Sequence, residues 1–400
     1  MTAPRGADAF GRFAMIGGGF AMGMQSAGIV SPSQATSWPA LVAAGAGAAF
    51  RQPLLRAPGC TAPLVAPLIL GRRLSGSLIS VVDSACAGTV LAGTPPGDNL
   101  AIAGATAWDA LYLTPKIVAA APTTHSAAQR ILYPAVLALT QSQVTAALVK
   151  TPTFVAIELG LAEVMRAATT GHVVAGAAYE DSTAWTLMSA DAFKAAFDAI
   201  ADSVTKSGAK VAIMSVPPIT TFAAFRPASA VWSAEATLGT FGVSVSSDCA
   251  NSTNLVNVAG LVPAKVQLAI GNGIPEPLSC ADIPGAADSV LTASDVAAIE
   301  ATVGAMNAHL AQVAAARGWA FVDMAGTFER MRTDAGAYAP SAQLTCASPY
   351  GAFFSLDGVH PTAAGSRLVA DAFASAVNAT YGFALPIAGD AFDIRVALCQ

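Results

Sequence analysis

The segment Phe13-Ala14-Met15-Ile16-Gly17-Gly18-Gly19 decides the fold of this chain. The apolar run over Arg12–Ile16 is short and ends in three glycines, which is typical of a buried parallel strand that enters a tight turn. Four more short apolar runs have the same character and predict further buried strands at Asn99–Ala103, Thr153–Leu159, Lys210–Val216 and Trp319–Asp323.

Helical patterns lie between these runs. One apolar face at helical spacing consists of Phe193, Phe197, Ile200 and Val204. Thr292-x-x-Asp295 is a capping-box pattern that opens a helix ending near Gly318, and a last helix is expected from Pro361 to Asn378. The alternation predicts an α/β fold, a three-layer α/β/α sandwich around a parallel sheet. Functional groups are then expected at the carboxyl ends of the strands.

Composition limits the kinds of partner. The 400 residues are 54% hydrophobic and only 11% charged, with a net charge of −5. This excludes a disordered chain, and the lack of basic runs argues against a nucleic-acid partner. The most apolar charge-free stretches, 13–50 and 57–71, contain polar residues and prolines, so we expect no transmembrane span. No leader pattern opens the chain.

Two stretches interrupt the alternation of strands and helices. Residues 57–97 and 217–284 are rich in turn-forming residues, and each contains two cysteines. Long loops of this kind are usually lids or stapled insertions. We therefore expect one domain over residues 1–400, with these two stretches as loop-rich insertions that lack a core of their own.

The six cysteines are evenly spread and form no C-x-x-C pair, so a zinc or thioredoxin-like site is not expected. Three disulfides in an oxidising, extracytoplasmic compartment of a bacterium are the favoured interpretation. Sequential pairing would join Cys60 to Cys86, Cys249 to Cys280 and Cys346 to Cys399. The alternative is six free thiols in a cytosolic enzyme.

The segment from Ser355 to Pro361 contains the clearest chemical motif. In Asp357-Gly358-Val359-His360 the carboxylate can accept from one imidazole nitrogen, which leaves the other nitrogen as a general base. This is the supporting half of a hydrolytic triad. A structural surface turn is the alternative interpretation.

Four ordered blocks resemble the SGNH/GDSL hydrolases, which are serine esterases and lipases with a flavodoxin-like fold. The blocks are Phe13–Gly23, Asn99–Ala105, Thr153–Glu163 and Ser355–Pro361. The resemblance implies that Gly104 donates its amide to an oxyanion and that Asp357 and His360 are the orienting residue and the base. It also implies a small acyl ester or a lipid as substrate if the protein is active, and no cofactor or metal.

Two signature positions depart from that family. Gly19 stands where the family has its serine nucleophile, and Ala162 stands where an asparagine completes the oxyanion hole. Losing the nucleophile of a triad costs about 10⁶ in kcat, and losing one oxyanion donor costs about 10²–10³. The sequence therefore predicts a silent, or nearly silent, serine-esterase site.

The sequence does not favour another serine or a metal ion as a substitute for the missing nucleophile. Ser26 is too far along the chain from Gly19, and Ser84 follows no strand-to-glycine turn. A metal site built from carboxylates and a histidine is also disfavoured; its members would be Glu158, Glu163, Asp357 and His360. The isolated histidines are interpreted as structural or surface residues; these are His125, His172 and His309.

Two functional hypotheses follow. The first is a non-catalytic, extracytoplasmic binding or structural protein that self-assembles, because a charge-poor surface favours association into a homo-oligomer or surface assembly. The second is an active ester hydrolase that uses His360 and Asp357.

Overall fold

The computed structural model describes residues 4–79, 86, 96–180 and 184–386. The assigned strands are β1 (Phe13–Gly17), β2 (Phe154–Glu158), β3 (Ala175–Gly176), β4 (Leu187–Met188), β5 (Lys210–Met214), β6 (Phe225–Pro227), β7 (Val243–Val245), β8 (Leu255–Asn257), β9 (Glu276–Leu278), β10 (Val290–Leu291) and β11 (Ala320–Val322).

The helices in the same residues are α1 (Gly19–Met22), α2 (Ser31–Ala35), α3 (Trp38–Gly45), α4 (Ala107–Tyr112), α5 (Pro115–Ala120), α6 (Ala127–Val136), α7 (Gln143–Val149), α8 (Ala162–Thr170), α9 (Ala190–Thr205), α10 (Ala228–Ser233), α11 (Glu235–Thr240), α12 (Val258–Asn272), α13 (Ala293–Arg317), α14 (Ala325–Asp334), α15 (Pro340–Thr345) and α16 (Ala363–Tyr381).

A parallel sheet in the order β1-β2-β5-β11 forms the centre of the molecule. The predicted strand at Asn99–Ala103 is not assigned as one, but it runs parallel to the free edge of β1. Leu100 N–H donates to Met15 O, and Ile102 N–H donates to Gly17 O. When this segment is included, the order across the sheet is Asn99–Ala103, β1, β2, β5 and β11. Numbered along the chain, the five predicted runs then lie in the order 2-1-3-4-5, which is a doubly wound order.

Helices cover both faces of the sheet. On one face α16 contacts β5, β11 and α3, and on the other α13 contacts β5, β11, α8 and α9. The strands are almost entirely buried because both of their faces are covered; only Lys210 of β5 is exposed and Phe321 of β11 half-buried. The predicted α/β fold with a parallel sheet is confirmed.

Most helix predictions hold, with one shifted start. The four-residue apolar face of α9 is completely buried, and Thr292 caps α13, which ends at Gly318. The last helix does not begin at Pro361. Its N-cap is Thr362, whose hydroxyl accepts from Gly365 N–H, so that α16 starts at Ala363.

The stretch 217–284 is not loop-rich, which corrects the sequence prediction. It contains α10, α11, α12 and β6 to β9, and it has a hydrophobic cluster separate from the main core. This cluster includes Val231, Leu238, Val262, Val266 and Leu278. The prediction was wrong because these elements are short and α12 contains Pro263, so that no clear periodicity marks them. The division of residues 1–400 into one domain with insertions stays a prediction.

Two of the three predicted disulfides are confirmed. Cys60 is bonded to Cys86, and Cys249 is bonded to Cys280. The third predicted pair, Cys346 with Cys399, includes a cysteine outside the described residues. In the part of the chain that the structure describes, no helix is both long and apolar enough to cross a membrane.

Candidate functional site

A cavity of about 340 Å³ lies at the carboxyl ends of β1 and β2. Four residues singled out in the sequence line it, and they come from four separate parts of the chain: Gly19, Gly104, Ala162 and His360. The rest of the wall is mostly apolar, with side chains that include Met24, Ile29, Leu132, Leu159 and Met165. The fold therefore brings the four blocks to one place.

His360 and Asp357 form the predicted pair. His360 Nδ1 lies 3.0 Å from Asp357 Oδ2, so the carboxylate fixes the proton on Nδ1 and leaves Nε2 as the free nitrogen. The imidazole packs edge-to-face against Phe20. Both side chains are largely buried, at 15% and 11% exposure, which makes the surface-turn interpretation of this motif wrong.

Asp357 is held as a carboxylate by its own loop. Burial alone would raise its pKa, but the His360 ring and the backbone N–H groups of His360 and Val359 outweigh burial and lower the pKa. Those two N–H groups donate to Oδ1 at 2.8 Å. Ala27 N–H donates to Oδ2. Asp357 is thus a carboxylate that can accept from the imidazole N–H.

Gly19 occupies the position that faces the imidazole. A Cβ atom built on Gly19 would lie 3.0 Å from His360 Nε2 and 3.5 Å from Met24 Sδ. Any side chain at this position would therefore meet the free nitrogen of the dyad. Gly19 offers no hydroxyl there, and it is the first residue of α1, directly after the β1 turn.

Gly104 and Ala162 also line the cavity. Gly104 has φ +77°, a backbone conformation that favours glycine. The loop behind it is tied to α8, because Ala107 N–H donates to Glu163 Oε1 at 2.7 Å. Ala162 begins α8 and has no polar side-chain atom to offer to the cavity.

Glu163 is buried, and its Oε1 accepts a second hydrogen bond besides the one from Ala107 N–H. The second donor is the Tyr179 hydroxyl, at 2.8 Å. The other oxygen of Glu163, Oε2, has no hydrogen-bond partner among the residues that the structure describes. Burial raises the pKa of Glu163 to about 7, and it outweighs the hydrogen bonds from Ala107 and Tyr179, which lower the pKa. The sequence contained no signal for Tyr179, because this contact depends on a chain segment 16 residues away.

Glu158 is a second buried acid, at the end of β2 and in the cavity wall. Trp38 Nε1 donates to its Oε2 at 3.1 Å. Burial raises the pKa of Glu158 to about 8. Hydrogen bonds from Trp38 and from the N–H groups of Ala21, Phe20 and Gly18 act in the opposite direction and lower the pKa, but burial outweighs them. Trp38 is a site residue that sequence reasoning missed, since only the fold places α3 beside β2.

The structure does not bring the alternative catalytic groups into place. Ser26 supports the Asp357 loop, since its N–H donates to Ser355 Oγ and its hydroxyl accepts from Leu356 N–H. Ser84 lies outside the described residues. His309 pairs with Asp198 at 2.8 Å, away from the cavity, and neither His125 nor His172 lines it.

The carboxylates do not assemble as a metal site. Glu158 and Glu163 are each engaged by the separate donors described above, and only Asp357 contacts His360. Among the described residues, one group of three potential metal ligands lies close together, Asp248 with Cys249 and Cys280. Its two cysteines are disulfide-bonded, so their sulfurs are not thiolate ligands.

Comparison with known proteins gives distant likenesses. No family model and no curated protein matches the chain. Solved structures do: an α/β hydrolase enzyme from the metagenome of Lake Arreo, Spain, is 13% identical over 70% of this chain and 71% of its own, with a TM-score of 0.31.

Two further solved structures are similar at the same level. A catalytic mutant of an acetylxylan esterase from Geobacillus stearothermophilus is 12% identical, with 69% of each chain covered and a TM-score of 0.30. A candidate GDSL-like lipase from Parabacteroides merdae is 11% identical over 70% of this chain and 72% of its own, with a TM-score of 0.31.

The fold and the site together resemble the SGNH/GDSL type. The four blocks lie on a parallel α/β sheet, and they meet at one cavity with an Asp–His dyad. The chain thus has a parallel α/β fold similar to that of the SGNH/GDSL type.

Proposed function

We propose that the protein is a non-catalytic member of the SGNH/GDSL type, which binds a ligand in the cavity and acts outside the cytoplasm. The observation that supports this most directly is the position of Gly19. It faces His360 Nε2, where a nucleophilic side chain would have to be, and it has none. The two disulfides support an oxidising location.

The rate losses expected from the two missing side chains support a non-catalytic protein. A triad without its nucleophile loses about 10⁶ in kcat, and Ala162 removes a donor worth about 10²–10³. The dyad remains, but within the described residues no hydroxyl or thiol is hydrogen-bonded to His360 Nε2. Binding contacts in the cavity are unaffected by either loss.

The test is hydrolysis of a short-chain nitrophenyl ester by the protein and by the Gly19→Ser, Ala162→Asn double variant. We expect the unmodified protein to match the buffer rate and the double variant to exceed it by at least about a thousandfold. The new Cβ requires His360 to move by a few tenths of an ångström. A further His360→Ala change should abolish the gain.

Ester hydrolysis by water is the second candidate function. The observation that favours it is the intact Asp357–His360 dyad, whose free nitrogen faces open cavity space. If the unmodified protein turns over the ester, loses that activity on His360→Ala and never forms an acyl-enzyme by mass spectrometry, the non-catalytic proposal is wrong and this one replaces it.

A further inference from the structure

A second cavity, of about 400 Å³, lies at the amino end of β1, at the opposite end of the sheet from the cavity that holds His360. Its charged lining consists of Arg12, Arg51, Lys150 and Asp98, and we call these four side chains the basic cavity. Arg12 directly precedes β1, and Lys150 lies between α7 and β2. Three cations therefore share one carboxylate.

Asp98 is the partner of two of these cations. Arg51 Nη2 lies 3.3 Å from Asp98 Oδ1, and the Lys150 ammonium contacts the same oxygen. Burial alone would raise the pKa of Asp98, but hydrogen bonds from Lys150 and Arg51 outweigh burial and lower the pKa. Asp98 is therefore a carboxylate at neutral pH, and it holds both cations beside the cavity.

Arg12 has no carboxylate partner among the described residues. Its Nε donates to Thr151 O at 2.6 Å, which anchors the guanidinium group. An arginine has five N–H donors, and this bond uses one of them. Arg12 is an exposed residue, so the donors on its two Nη atoms can reach a ligand in the basic cavity.

The charge of the basic cavity is opposite in sign to that of the whole chain. The chain has 20 Lys and Arg against 25 Asp and Glu, whereas the basic cavity has three cations around one acid. Lys210, the first residue of β5, adds a cation on the same edge of the sheet, opposite Phe154. The negative end of α7 offsets about half an elementary charge, which leaves a surplus of roughly one to two positive charges in the cavity.

We propose that the basic cavity binds a phosphate group, either as the free ion or as the terminal monoester of a larger molecule, with Arg12, Arg51 and Lys150 as donors. A phosphate dianion matches the charge surplus, whereas a single carboxylate would neutralise only part of it. Guanidinium groups donate paired bonds to phosphate oxygens, and lysine binds them as a point charge. The site is separate from the cavity of the Asp–His dyad and does not depend on whether that cavity is catalytic.

The rest of the lining is compatible with such a ligand. It consists of Gly11, Phe13 and Ala49, so the described lining contains no second acid that would repel an anion. A phosphate group fills only a small part of about 400 Å³, and the remaining space can accept the group that a monoester carries.

The test is isothermal titration calorimetry of the full chain at about pH 8, where a phosphate monoester is a dianion, in about 0.15 M sodium chloride, which screens non-specific attraction. The probes are inorganic phosphate, glycerol 3-phosphate and the singly charged dimethyl phosphate. We expect the two dianions to bind with a Kd of about 1 mM or below. Dimethyl phosphate should bind at least about tenfold more weakly.

The two dianions distinguish the source of the phosphate group. Tighter binding of glycerol 3-phosphate would assign the site to a terminal monoester, tighter binding of inorganic phosphate would assign it to the free ion, and equal binding would show that only the phosphate group is recognised. All three results support the proposal. No binding of either dianion, or equal binding of dimethyl phosphate, overturns it.

Two variants locate the site. Arg12→Gln removes the cation that has no acid partner, and we expect it to weaken phosphate binding at least about tenfold. Arg130→Gln is the matched control, because Arg130 is also exposed and donates to backbone carbonyls, those of Pro122 and His125, but lies outside the basic cavity. Its affinity for phosphate should be unchanged.

Thermal unfolding of both variants checks that they are folded, since surface substitutions of this kind change stability little. Unchanged phosphate affinity in folded Arg12→Gln protein, or an equal loss in both variants, would place phosphate elsewhere and overturn the assignment to the basic cavity.

Discussion

At the scale of single residues, the site combines an intact dyad with an empty nucleophile position. Asp357 receives three backbone N–H bonds and the imidazole N–H, so its orientation does not depend on residue 19. Gly19 can therefore lack a side chain without disturbing the His360 ring. We therefore expect the Gly19→Ser substitution to place its hydroxyl beside a His360 base that is already oriented.

Glu163 gives a prediction for the pH dependence of stability. Its pKa is raised by burial from 4.5 to about 7. The folded protein then keeps a proton that the unfolded chain releases, so stability falls as the pH rises from about 4.5 to about 7. Glu163→Gln mimics the protonated acid. We expect it to match the unmodified protein at pH 4.5 and to be more stable by roughly 2–3 kcal/mol at pH 8.

Urea unfolding at several pH values measures this difference. Glu329→Gln, at an exposed position of α14, is the matched control and should leave the pH dependence unchanged. A constant difference between Glu163→Gln and the unmodified protein from pH 4.5 to 8 would contradict a buried, protonated Glu163.

The site residues that the sequence could predict are those inside contiguous motifs. Asp357 and His360 are three residues apart, and Gly19 and Gly104 each end an apolar run, so short patterns reveal them. Trp38 and Tyr179 were not predictable as site residues. Their contacts with Glu158 and Glu163 arise only when α3 and the segment after α8 pack beside the sheet.

At the scale of elements, short apolar runs between turn residues were sufficient to predict the central strands. The segment Asn99–Ala103 is the informative exception. It donates to β1 through alternate residues, yet it is not assigned as a strand, because only Asn99, opposite Met15, forms a complete bridge with β1. Sequence pattern marks burial, which this segment has, rather than complete ladder pairing.

Helix α13 gives a prediction about capping. The Thr292 hydroxyl accepts from Asp295 N–H, and the Asp295 carboxylate accepts from Thr292 N–H at 2.9 Å. Because Thr292→Ala removes one of these two caps, we expect it to lower the free energy of unfolding by about 1 kcal/mol.

Thr302→Ala is the control for that change. Among the described residues its hydroxyl bonds to Ala298 O alone, within α13. We expect an effect within about 0.5 kcal/mol, as for other surface substitutions. Thermal or urea unfolding measures both. Equal losses for the two variants would show that the capping box does not determine where α13 begins.

At the scale of the whole molecule, low charge leaves apolar side chains at the surface. Ile270 and Ile274 are 60% and 62% exposed, and Leu70 is 55% exposed. The Gln267 side chain of α12 donates to Ile69 O, next to Leu70, and Ile270 lies about one turn further along the helix. We call Leu70, Ile270 and Ile274 the α12 patch. Exposed apolar clusters of this kind favour association.

We predict that the protein self-associates through the α12 patch. With a net charge of −5 on 400 residues, little electrostatic repulsion opposes contact between copies. Ile270→Glu with Ile274→Glu places two negative charges on the patch, so it should shift the protein towards monomer in sedimentation velocity at high concentration. Leu139→Glu alters an equally exposed leucine outside the patch and should leave the association unchanged. A clean monomer for the unmodified protein at high concentration would contradict self-assembly, and association that persists in the double variant would place the interface on another surface.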